Sequence, residues 1–95
     1  MLIELAGLSF RPKEAKEIVA NLEVGAKLCF ELEPDNPYDP YAVRIIEPMS
    51  ETFIGYVPRT ASALIYQLLE EGQDLPCELA ELHPKKPILR IEMPK

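Results

Sequence analysis

The apolar positions change period several times along the chain, and each change marks an element. LIELAGL (2–8) reads as a first strand, ended at Gly7 or soon after. In RPKEAKEIVANL (11–22), Ala15, Ile18, Val19 and Leu22 fall at i, i+3, i+4 and i+7, and Pro12 suits a helix's first turn, so a short amphipathic helix is predicted. After Gly25, KLCFELE (27–33) alternates, with Leu28, Phe30 and Leu32 on one face and Cys29, Glu31 and Glu33 on the other. AVRIIE (42–47) and TFIGYV (52–57) are strand-like runs joined through PMSE, which predicts a hairpin. Near Thr60 a second helix is expected, with an apolar stripe of Ala61, Leu64, Ile65, Leu68 and Leu69 and with Gly72 at its C-cap. LPCELAEL and PILRIEM close the chain as two strands around a turn bracketed by Pro84 and Pro87.

The predicted order is β-α-β-β-β-α-β-β. Short strands with only two short helices point to a mostly β, α+β fold, a small OB-like antiparallel β-barrel. With 95 residues and no linker, repeat or low-complexity stretch, one domain over residues 1–95 is expected, with no second module attached.

Composition narrows the picture further. The chain is 47% hydrophobic and 27% charged, the balance of an ordinary globular domain. No apolar run approaches the roughly 20 residues of a membrane span, and the opening MLIELAGLSF carries Glu4 and lacks a basic leader. A cytoplasmic protein with no membrane association is expected. Cys29 and Cys77 lie in separate strand-like runs without a CxxC pair or a companion histidine, and read as two buried free thiols. A net charge of -6 argues against holding duplex nucleic acid mainly through charge, so any polyanion must be met locally. Arg11, Lys13 and Lys16 cluster early, whereas Glu70, Glu71, Asp74, Glu78 and Glu81 gather late.

An enzyme finds little support. His83, the only histidine, lies beside Pro84 in a predicted turn with no nucleophile in a recognisable pattern around it, and four scattered glycines make no phosphate-cradling loop. Neither a cofactor nor a metal is expected. Glu33, Asp35, Asn36 and Asp39 offer oxygen ligands, but Pro37 and Pro40 stand where a calcium loop needs its spacing and its glycine.

The most unusual stretch is EPDNPYDPYAV (33–43), which puts three prolines, two aspartates, an asparagine and two tyrosines between two strands. Pro37 and Pro40 fix their own φ and bias Asn36 and Asp39 toward extended backbone. Two readings stay open: a stiff display surface for Tyr38 and Asp39, or turns capped by Asp35, Asn36 and Asp39 whose tyrosines cover the barrel end.

Together GLSFRP (7–12), EPDNPYDPYAV (33–43) and IGYVPR (54–59) resemble the HIRAN domain family, and the resemblance runs through essentially the whole chain. It implies an OB-like barrel that grips single-stranded DNA, especially a free 3′ end, in DNA repair or replication-fork processing. It also implies a helicase or nuclease as partner, and this chain is similar to the standalone bacterial and phage members. By the same resemblance Phe10 and Tyr38 would stack on bases, Asp39 would accept a hydrogen bond from a terminal sugar hydroxyl, and Arg59, with Arg11 or Lys13, would hold phosphate. Tyr56 would add a ring or hydroxyl, or simply stand on a strand's outer face. Ser9 and Pro58 stand where binders in the family carry basic residues. The rival reading is a protein-interaction module using the same aromatic loop for a peptide or partner enzyme.

Overall fold

The computed structural model describes residues 1–83 and 85–94, so the turn expected at Pro84 and the end at Lys95 lie outside the described residues. Six strands form one antiparallel sheet: β1 (Leu2–Glu4), β2 (Lys27–Glu33), β3 (Ala42–Glu47), β4 (Thr52–Tyr56), β5 (Cys77–Glu81) and β6 (Ile88–Ile91), in the spatial order β1-β6-β5-β2-β3-β4. The helices are α1 (Lys13–Ala20) and α2 (Arg59–Glu70), and a single 3-10 turn, Leu8–Phe10, follows Gly7. The expected element order is therefore present, with β1 shorter than its apolar run and the 3-10 turn in place of that run's end.

The sheet curls until its two outer strands nearly meet. Just beyond β1, Ala6 exchanges two backbone hydrogen bonds with Tyr56 at the end of β4, at 2.9 and 2.8 Å. Only glycine fits at that seam. A Cβ on Gly55 would lie 2.5 Å from the Ala6 carbonyl oxygen and 2.7 Å from a Leu5 methyl. This makes a curled half-barrel, consistent with the OB-like expectation.

Alternation on the strands fills the interior: Val43, Ile45, Ile54, Leu79, Leu89 and Ile91 are all essentially inaccessible. Helix α1 adds Ala15 and Val19 to this core, and α2 adds Ile65. Of the predicted α2 stripe, Leu64 instead remains 46% exposed, because Ser62, which is buried, takes part of the inward arc. Gly72, at φ 86°, closes α2 in the left-handed region, with N–H groups of Gly72 and Gln73 returning to the Leu69 and Leu68 carbonyls.

One expectation needs correction. Cys77 is buried, and burial pushes its thiol up to about 12. Cys29 is exposed, because strand alternation turns it away from its core-facing neighbour Leu28. Among the described residues, no helix is long and apolar enough to cross a membrane.

Candidate functional site

On the outer face of the sheet, Glu31 lies opposite Arg44, and Arg44 lies opposite Tyr56, forming one row across β2, β3 and β4. Period-two alternation would put Phe53 and Tyr56, three residues apart, on opposite faces. The pairing instead passes from Ile46↔Phe53 to Ile45↔Gly55, so β4 carries an extra residue, Ile54, that bulges inward and is buried. Phe53 and Tyr56 consequently share the outer face, their rings edge to face at 5.0 Å. Two guanidinium groups lie over Phe53: Arg11 at 3.9 Å from the ring centroid and Arg44 at 4.7 Å. Arg11 Nε also donates to the Phe53 carbonyl at 3.2 Å, which ties the segment before α1 to β4.

Glu33, at the end of β2, is the hub of this face. Its Oε1 accepts from Arg44 Nη2 at 2.7 Å, and its Oε2 accepts from the Tyr56 hydroxyl at 2.6 Å and from Asn36 Nδ2 at 3.0 Å. The Arg44 hydrogen bond, ahead of those from Tyr56 and Asn36, holds the Glu33 carboxyl down at about 2 despite partial burial. The Tyr56 hydroxyl is shifted upward, first by burial and then by donating to Glu33. Among the described residues Arg44 Nε is buried without a hydrogen-bond partner, and the neighbouring Phe53 ring face is the available compensation.

From this hub the proline loop is braced at both ends. Asn36 Oδ1 accepts from the backbone N–H groups of Tyr38 and Asp39, at 2.8 and 3.0 Å, so Asn36 folds the loop while its amide nitrogen anchors it to Glu33. Asp39 Oδ1 accepts from the Tyr41 N–H at 2.9 Å, and Asp39 Oδ2 accepts from the Ser62 hydroxyl in the first turn of α2, also at 2.9 Å. Asn36 and Asp39 therefore do cap turns, whereas the tyrosines behave differently from each other. Tyr41 packs edge to face on Tyr66 of α2 at 5.6 Å, and Tyr38 stands 83% exposed. Phe10, at the end of the 3-10 turn, is 88% exposed.

A continuous set of contacts thus joins most of the residues singled out from sequence. Arg11 touches Phe53, Phe53 touches Tyr56, Tyr56 bonds through Glu33 and Asn36 to the loop bearing Tyr38, and Asp39 reaches α2, whose first residue is Arg59. Arg59 is exposed beside a helix start that no side chain caps, Pro58 being unable to do so. Lys13 stands apart from these contacts, its Nζ 3.8 Å from Glu17 on its own helix. Sequence reading did not single out Arg44, Phe53 or Ser62. The opposite charges of Glu31 and Arg44 become a signal only once the β2–β3 register is known. No group of three or more His, Cys, Asp or Glu residues suited to a metal ion occurs among the described residues.

Comparison with solved structures gives two close folds. The HIRAN domain of human HLTF superposes with a TM-score of 0.77 at 10% identity, covering 96% of this chain and 71% of that one. A protein from Lactobacillus plantarum superposes with a TM-score of 0.78 at 20% identity, covering 97% and 92%. No curated protein matches in sequence. At these identities the superpositions establish the fold; the family follows from the HIRAN domain model, which matches residues 2–92, nearly the whole chain. With the half-barrel and the three motifs already in place, this chain belongs to the HIRAN domain family.

Proposed function

We propose that this chain captures single-stranded DNA at a free 3′ end, as a binding module serving DNA repair or fork processing. Family membership supports DNA binding and a binding domain in place of a catalyst. The observation that carries the finer reading is the pair of exposed rings, Phe10 at 88% and Tyr38 at 83%, mounted on a hydrogen-bonded scaffold. Exposed rings on a fixed backbone cost little entropy on binding, and stacking is worth about 1–3 kcal/mol per base whatever the sequence. That suits a site that must accept any terminus.

The remaining residues take complementary parts. Arg59 and the uncapped start of α2 offer N–H donors to a phosphate, and Arg11 offers the guanidinium edge not engaged with Phe53. Each Asp39 oxygen accepts one internal hydrogen bond and keeps a second acceptor site, so a terminal hydroxyl can donate to a carboxylate already held in place. An internal phosphate at the same point meets like charge, which favours an end over the middle of a strand. Lys13 would contribute only through long-range attraction.

Fluorescence anisotropy at low salt, with a short strand bearing a free 3′ hydroxyl against the same strand with a 3′ phosphate, tests this. Preferential binding of the free hydroxyl is expected; equal binding would remove the end-reading role of Asp39. The acidity of the chain, net -6, favours the second reading, a peptide on the same rings delivered by a helicase or nuclease partner. Its mark would be binding that hardly changes with salt, whereas strand binding weakens as salt rises.

A further inference from the structure

The basic residues of this acidic chain fall into distinct sets. Lys13, Lys27, Arg44 and Arg90 each lie within 4.0 Å of a carboxylate, and Arg11 is committed to Phe53. Lys16, Arg59, Lys85 and Lys86 have no ion-pair partner among the described residues; Arg59 stands at the start of α2, and the three lysines line one groove between α1 and the segment after β5. The groove has a volume of about 780 Å³, within the ordinary range for ligand sites. Its floor is aliphatic, with Leu8 from the 3-10 turn, Val19 from α1 and Leu82 after β5. Leu82 is 40% exposed, an apolar side chain facing water in the groove that the three lysines line.

We infer that this groove is a docking site for an acidic segment of a partner protein, one large apolar side chain seated on the Leu8–Val19–Leu82 floor and flanking Asp or Glu residues meeting Lys16, Lys85 and Lys86. Charge complementarity selects the occupant. The chain as a whole repels acidic partners, so three uncompensated lysines at one place make a local exception and give such a segment its register. Among the described residues no Phe, Tyr or Trp lines the groove, so it lacks the aromatic platforms on which strand binding draws. His83 joins the rim, its Nε2 3.5 Å from Glu81 Oε2.

The 3-10 turn serves both surfaces, with Leu8 buried toward the groove and Phe10 exposed two residues on. A partner seated in the groove therefore sits beside the proposed strand site. The inference does not depend on strand binding, since the two surfaces share no proposed contact residue.

The test is peptide display with random 12-residue peptides on the full chain, followed by titration of the isotopically labelled protein with the enriched peptides. Expected are sequences with a large apolar residue among two or more Asp or Glu, and amide shifts centred on Lys16, Leu82, Lys85 and Lys86. Charge reversal of all three exposed lysines (K16E, K85E, K86E) should weaken such peptides by about tenfold or more, with the amide spectrum otherwise native. Enrichment of neutral or basic peptides, or shifts centred on Phe10 and Tyr38, would overturn the proposal. So would shifts at the three lysines produced by an oligonucleotide in place of the peptides, or by raising the protein's own concentration, which would give the groove to nucleic acid or to a second copy.

Discussion

Two loops flank β3, and both are organised by an acid that accepts backbone hydrogen bonds. After β3, Glu47 is buried and accepts from the Met49 and Ser50 N–H groups and from the Ser50 hydroxyl, at 2.7, 2.9 and 2.6 Å. These bonds stay within the turn, which includes Glu51 at φ 56°, and the one large apolar side chain the turn shows the solvent is Met49, 93% exposed. Before β3, Asn36 and Asp39 accept in the same way but also reach outward, to Glu33 and Tyr56 on one side and to Ser62 on the other. Local satisfaction of the backbone explains the first loop completely. The second is braced against two further elements, and what it holds up is an aromatic ring.

The sharpest way to break this contrast is at the rings. Replacing Phe10 and Tyr38 together with alanine should weaken strand binding by at least about thirtyfold, from two lost stacking contacts, while Met49→Ala leaves it unchanged. Anisotropy titrations of the three proteins check this, and equal losses would erase the distinction between the loops.

The two acids should differ next. Glu33→Ala strands Arg44, Tyr56 and Asn36, and a loss of about 2–3 kcal/mol is expected in urea unfolding, accompanied by weaker strand binding. Glu47→Ala should cost about 1–2 kcal/mol and leave binding intact.

Acid titration sharpens the same pair. The Glu33 carboxyl is held at about 2 in the folded chain against 4.5 ordinarily, so between those values the unfolded chain binds more protons. The stabilisation is complete above 4.5 and is lost as pH falls through about 2. Glu47 is shifted the same way, first by the Ser50 hydroxyl. Glu33→Gln should flatten the dependence of unfolding free energy on pH across that interval. The smallest expected effect is at the far brace: Ser62→Ala should cost about 1 kcal/mol in the same urea assay and weaken binding slightly, by loosening Asp39. With two phosphates engaged, the logarithm of binding affinity should fall with that of salt at a slope of about -1.4.

Much of the fold was legible because period and punctuation agree. Ala15 and Val19 at helical spacing, Leu28 in a two-residue alternation and Gly72 after α2 all appear where pattern places them. The site was legible mainly where rigidity is written locally, in Asn36, Pro37, Asp39 and Pro40. What escaped was set by pairing across the sheet. Nothing near Arg44 in sequence announces Glu33 or Phe53, and Ser62 reads as an ordinary helix residue until Asp39 is brought to it. Cys29 is a different case: the alternation in KLCFELE already sets it on the face opposite Leu28, and reading its thiol as buried ran against that pattern.

The inward bulge at Ile54 also makes residue count, more than residue type, decisive in β4. It acts as a phase shift, since every side chain beyond it is reassigned to the opposite face. Deleting Ile54 would leave Phe53 and Tyr56 two residues apart and still on the outer face by plain alternation, whereas pairing β4 regularly at its present length would turn either Phe53 or Tyr56 inward. In this strand the residue count between the two rings is matched to the bulge: three residues of separation need it, and two would keep the rings together without it.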